Sequence, residues 1–127
     1  MSMTLEDVEL LAFDPPFLGM PAGPCHCGRW EREGEGFVEI FIRVEKERIA
    51  DVGFLTNIHG EGILCAALCC QTLLEKSVDE ARAIDEHDIL AVLPPKARTE
   101  SVQQIAIRCA AAGRKAANGT PAGLSAS

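Results

Sequence analysis

Thirteen consecutive residues, Gly62 to Leu74 (GILCAALCCQTLL), carry no charge and only two polar side chains, Gln71 and Thr72. A helix that is apolar nearly all round has no face to give to water and must be enclosed by other elements. Thirteen residues fall short of the ~20 needed to cross a bilayer, so the enclosure must come from the chain itself. The 127 residues suit one domain, since single cores usually take ~100–200 residues. The remaining sequence should therefore read as a shell around this helix.

Upstream, Phe37 to Val44 alternates, with Val38, Ile40, Ile42 and Val44 on one face and Glu39 and Arg43 on the other, the period of a half-buried strand. Glu45-Lys46-Glu47 makes a polar turn, and Arg48 to Thr56 returns as a second strand with Ala50, Val52 and Phe54 on one face, completing a β-hairpin. Thr4 with Asp7 opens a short helix to about Leu11, stopped by Asp14-Pro15-Pro16. Between this helix and Gly36 the chain is rich in Gly and Pro and then charged, and reads as a loop. Ser77 with Glu80 starts a helix to about Ile84, Asp85 caps another from Glu86 to Leu93, and a last helix spans about Thr99 to Ala117. The domain is expected over 1–117, with the small, polar and glycine-rich 118–127 as a disordered tail.

Nineteen acidic and twelve basic residues give a net charge of −7, which repels a phosphate backbone and disfavours nucleic-acid binding. Residues 1–95 hold eighteen of the acids and seven bases; the remainder holds one acid and five bases, so the last helix can show a basic face. The first nine residues include three acids and no basic run, unlike a secretory signal. A cytoplasmic location is expected, with no membrane association. In that compartment cysteines stay reduced, so the six cysteines point to metal ligation, redox chemistry or burial rather than bridges.

Cys25-His26-Cys27 is the strongest local signal, because thiolate and imidazole suit zinc and iron. Two free loop cysteines are the plainer alternative, since no second pair follows. His59, in His59-Gly60-Glu61-Gly62, stands where a turn projects a side chain beside a helix start; an exposed histidine without a role is the plainer alternative. His87 reads as surface. Cys65, Cys69, Cys70 and Cys109 read as core residues, buried cysteine behaving as a small hydrophobe. A vicinal Cys69–Cys70 disulfide, serving a dithiol oxidoreductase, is the alternative. No phosphate loop, nucleophile elbow, HExxH or dinucleotide fingerprint occurs.

The stretch from Phe37 to Ala117 resembles the U-type iron–sulfur cluster assembly scaffolds, the IscU/NifU N-terminal family. FVEIFIRVEKERIADVGFLTN looks like the family's hairpin, and a Gly-rich turn then leads into an apolar helix. EKSVDEARAIDEHDIL is similar to its K-S-x-x-E-A segment and acidic helix, and LPPKARTESVQQIAI to its Leu-Pro start and final helix. AGPCHCG resembles its T-G-P-C-G-D ligand loop. The resemblance implies an α+β fold, a small antiparallel sheet packed against helices in the SufE/NifU-like (IscU-like) manner, with any third strand drawn from before Cys25.

In that family three cysteines, with an Asp and a His, hold a nascent [2Fe–2S] cluster or zinc. Here Cys25 matches the first cysteine and Cys27 adds a thiol beside it. The second becomes His59, and the Arg-His-Cys triplet becomes Arg98-Thr99-Glu100; no equivalent of the Asp is assignable. The resemblance thus implies a mixed site of Cys25, Cys27, His59 and Glu100, with His26 able to replace either thiol, binding iron, zinc or a [2Fe–2S] cluster. It implies a scaffold rather than an enzyme. A cysteine desulfurase would pass sulfur to Cys25 or Cys27 as persulfide, and apo iron–sulfur proteins would receive the product. The chaperone-recognition run survives only as Leu93-Pro94-Pro95-Lys96. The alternative is a metal-free paralogue of the same fold that accepts sulfur or serves as a protein-interaction module.

Overall fold

The strand alternation around Ile40 builds the centre of an antiparallel sheet. The computed structural model describes residues 3–121. Its elements run α1 (Leu5–Phe13), β1 (His26–Arg32), β2 (Gly36–Glu45), β3 (Arg48–Thr56), α2 (Glu61–Leu73), α3 (Val78–Ala81), α4 (Glu86–Leu90), a 3-10 turn (Pro95–Ala97), α5 (Glu100–Asn118) and a two-residue β4 (Thr120–Pro121). The sheet order is β3-β2-β1-β4, all pairs antiparallel. The α+β architecture, a small antiparallel sheet packed against helices, is as the sequence implies.

Val38, Ile40, Ile42, Val52 and Phe54 line one face of the sheet and are buried against α2 and α5. Helix α2 is the centre of the core: Leu64, Cys65, Ala66, Ala67, Leu68, Cys69, Cys70 and Leu73 are all at most 4 % exposed. The uncharged run from Gly62 is explained by neighbours on all sides but that of the exposed Gln71. Cys69 Sγ donates to Cys109 O of α5 at 3.4 Å and Cys65 Sγ to Val102 O at 3.7 Å, so these thiols tie the two central helices. Cys69 and Cys70 are both free, and no vicinal disulfide forms.

Three helix starts carry the capping boxes expected of them: Thr4 with Asp7, Ser77 with Glu80, and Asp85 with Asp88. The helices they open differ in length from expectation, α1 reaching Phe13 and α3 and α4 stopping at Ala81 and Leu90. Thr99 caps α5 by accepting from Val102 N at 3.2 Å.

Three expectations are corrected. The third strand does not precede Cys25; it follows it, as His26–Arg32, inside the stretch read as a loop. Its inward residue Gly28 has no side chain to mark the buried face, and a Cβ there would stand 2.0 Å from Ala112 O and 2.4 Å from Ala116 N. Helix α5 therefore lies directly on the β1 backbone. Second, Ala50 is exposed and Ile49 is buried. The register skips Ala50, because Arg43 faces Asp51 and Val44 faces Ile49; this β-bulge switches which alternate residues face the core. Third, α5 extends to Asn118, and Thr120–Pro121 pair with β1. Of the expected tail, 122–127 lie outside the described residues.

Candidate functional site

Strand alternation decides what each residue of Cys25-His26-Cys27 can meet. Because His26 pairs with Ile42 and Cys27 with Phe41, His26 shares the helix-facing side with Ile42 while Cys27 points to the opposite face. His26 thus cannot stand in for a thiol: its Nδ1 is buried without a hydrogen-bond partner, against Gly119, where a Cβ would come within 2.6 Å. Cys25, two residues before Cys27 and just ahead of the strand, is 4 % exposed.

On that outer face Cys27 Sγ donates to Glu39 Oε2 at 3.0 Å. Glu39 Oε1 lies 3.6 Å from Arg29 Nη1, and the Arg29 guanidinium rests 4.0 Å above the Phe37 ring. Burial, then the hydrogen bond and charge of Glu39, push the Cys27 thiol up to about 12, against a smaller opposing pull from Arg29. Burial also pushes up Cys25. Both are thiols, not thiolates, at neutral pH. An open hollow of about 370 Å³ adjoins Cys27, lined by Gly28, Arg29, Lys115, Asn118 and Gly119. The Lys115 ammonium donates to Arg29 O at 3.1 Å, and of the two cations that line the hollow it is Arg29 whose charge favours the Cys27 thiolate.

The ligand set expected from the sequence is divided by the register. Thr56 pairs with Val38 and Val38 with Trp30, so His59 lies past the Arg32 end of β1. Cys25 lies past the His26 end. At about 3.3 Å per residue the two ends stand roughly 20 Å apart. Glu100 belongs with His59: it opens α5 next to Ser101, whose hydroxyl hydrogen-bonds the Glu61 carboxylate, while the other end of α5 packs at Gly28 and His26. Both His59 and Glu100 are exposed. Among the described residues no three His, Cys, Asp or Glu side chains form a group able to hold a metal ion. The structure brings Cys25 and Cys27 together and leaves His59 and Glu100 at the opposite tip.

Glu39, Arg29 and Lys115 escaped the sequence reading. Glu39 was visible as a lone charge within FVEIFI, yet its partner could not be assigned without β1.

No family model matches the chain, and no curated protein does. Solved structures do. A hypothetical protein solved at 2.3 Å aligns with a TM-score of 0.66 at 14 % identity, over 87 % of this chain and 93 % of its own. A protein assigned as the SUF-system iron–sulfur cluster assembly scaffold of Fervidobacterium islandicum AW-1 aligns at 0.57 and 10 % identity, over 87 % and 90 %. The N-terminal part of a nitrogen-fixing NifU-like protein from Brucella abortus aligns at 0.51 and 13 %, over 81 % and 73 %. The chain has the fold of the U-type scaffolds. Among the described residues no helix is long and apolar enough to cross a membrane.

Proposed function

We propose that this chain works in iron–sulfur cluster assembly as a scaffold-like protein that carries sulfur, with Cys27 as the acceptor. The fold shared with a protein named as an iron–sulfur cluster assembly scaffold and with a NifU-like protein supports the setting. The observation that carries the reading is the position of Cys27: among the described residues it is the only cysteine that is not buried, and it borders an open hollow beside Arg29 and Lys115. Cys25, Cys65, Cys69, Cys70 and Cys109 are closed off in the interior.

A donor persulfide R–S–SH, as on a cysteine desulfurase, enters the hollow. The Cys27 sulfur attacks its terminal sulfur, the donor's S–S bond breaks, and R–SH leaves with the proton that Cys27 gives up. Cys27–S–SH remains. With its thiol held up to about 12, Cys27 has little thiolate at neutral pH and reacts slowly with free small reagents; a docked donor supplies the proximity that offsets this. Apo iron–sulfur proteins or their assembly partners are the recipients.

Iron, zinc or a [2Fe–2S] cluster would be cargo. Cys27 and Glu39 share one face with Cys25 two residues away, but the three do not make up a three-donor group, which favours the metal-free sulfur carrier over the mixed-ligand holder. Anaerobic reconstitution with iron and sulfide tests the choice. The carrier reading expects no protein-bound visible absorbance, whereas absorbance that disappears in Cys27→Ala establishes ligation instead.

A further inference from the structure

We infer that Cys25 is a resolving thiol, which attacks a persulfide on Cys27 and releases its outer sulfur as sulfide while closing a Cys25–Cys27 disulfide. This deepens the sulfur-carrier reading and rests on it. Three observations carry it. The two cysteines lie two residues apart, Cys25 immediately ahead of the strand and Cys27 its second residue. The two sulfurs are near enough for their charges to interact, since ionised Cys25 is among the groups that disfavour ionisation of Cys27. Finally, Cys25 is 4 % exposed, closed to external partners but two residues from Cys27, the cysteine that borders the hollow.

The geometry permits closure from one side. Two strand steps separate Cα atoms by about 6.6 Å, within the range of about 4.4–6.8 Å over which disulfides form. The β1 ladder begins at His26, so Cys25 bends toward Cys27 without breaking a strand pair, and Gly23, with φ +82°, already turns the chain just ahead of it. A bridge closed at the long end of that range is strained, and strained bridges are readily reduced again.

The step balances within the protein: Cys27–S–SH and Cys25–SH give the Cys25–Cys27 disulfide and H2S. The Cys25 sulfur bonds to the inner sulfur of the persulfide, the inner–outer S–S bond breaks, and the Cys25 proton leaves on the sulfide. The outer sulfur is reduced by two electrons and the thiol pair is oxidised by two. A dithiol reductant of the thioredoxin class then restores both thiols by exchange. Sulfur would thus leave as sulfide rather than be handed on as persulfide.

The test treats the full, reduced chain anaerobically with a cysteine desulfurase and L-cysteine, removes both, and follows sulfide release and cysteine state by peptide mass spectrometry. Wild type is expected to release sulfide in step with a Cys25–Cys27 disulfide. Cys25→Ser and Cys25→Ala, two variants in case one packs poorly, are expected to keep one added sulfur on Cys27 and release none. A lasting persulfide on Cys27 in wild type, without the disulfide, overturns the resolving role and leaves the carrier reading intact. No added sulfur on Cys27 in either variant overturns the carrier reading itself.

Discussion

Cys27 and Glu39 sit on adjacent strands two residues out of register and hence on one face, and the thiol donates to Oε2 across 3.0 Å. A thiol so placed is protected rather than activated, because its anion would face a carboxylate in a partly dry setting. Replacing Glu39 by Gln removes that charge and should lower the Cys27 thiol from about 12. Each pH unit recovered raises the thiolate fraction tenfold below the midpoint. Iodoacetamide labelling of Cys27 at mildly alkaline pH should accelerate by about tenfold or more in Glu39→Gln; unchanged or slower labelling contradicts the assigned role of the carboxylate.

The buried thiols make stability sensitive to alkali. Burial holds Cys65 and Cys69 up to about 12, and Cys70 and Cys109 well above the ordinary 9. Between those limits the unfolded chain loses protons that the folded chain keeps, so stability is full below about 9 and falls as pH rises toward 12. For Cys69 alone the interval from 9 to about 12 is worth about 4 kcal/mol. Urea midpoints should fall steadily above pH 9, and a flat profile to pH 12 would mean that these thiols are not buried as described.

Gly28 and Gly113 separate two kinds of close packing. A Cβ at Gly28 meets backbone atoms of α5 at 2.0 and 2.4 Å, whereas at Gly113 it meets the side chains of Ile84, Cys69 and Leu73 at 3.0–3.3 Å. Side chains shift and helix backbone does not. Gly28→Ala should cost about 3 kcal/mol or more by denaturant unfolding, and Gly113→Ala about 1 kcal/mol, a ranking that equal losses would refute.

Thr99 satisfies the Val102 N–H at the start of α5. Thr99→Ala should lose about 1 kcal/mol without altering Cys27 labelling, since the cap lies at the opposite end of α5 from the hollow. A change in labelling would show that the two ends are coupled.

Much of this fold is legible in the residues. The alternation of Val38, Ile40 and Ile42 marks β2, the uncharged run marks α2, and Thr4, Ser77, Asp85 and Thr99 mark helix starts by chemistry local to one turn. What is not legible depends on partners distant in sequence. Gly28 carries no side chain to signal that β1 is buried against α5, and the skipped residue Ala50 reverses an alternation that looks regular. The candidate site suffered most. The likeness of AGPCHCG to a ligand loop puts Cys25 near His59, whereas pairing of His26 with Ile42 and of Val38 with Thr56 sends them to opposite ends of the sheet.

The central claim is that Cys27 accepts sulfur. Peptide mass spectrometry of Cys25→Ser protein after anaerobic incubation with a cysteine desulfurase and L-cysteine tests it most directly. One added sulfur on the peptide bearing Cys27, absent from Cys27→Ala protein treated alike, is the predicted result. An unmodified Cys27, or sulfur found on the core cysteines instead, would contradict it.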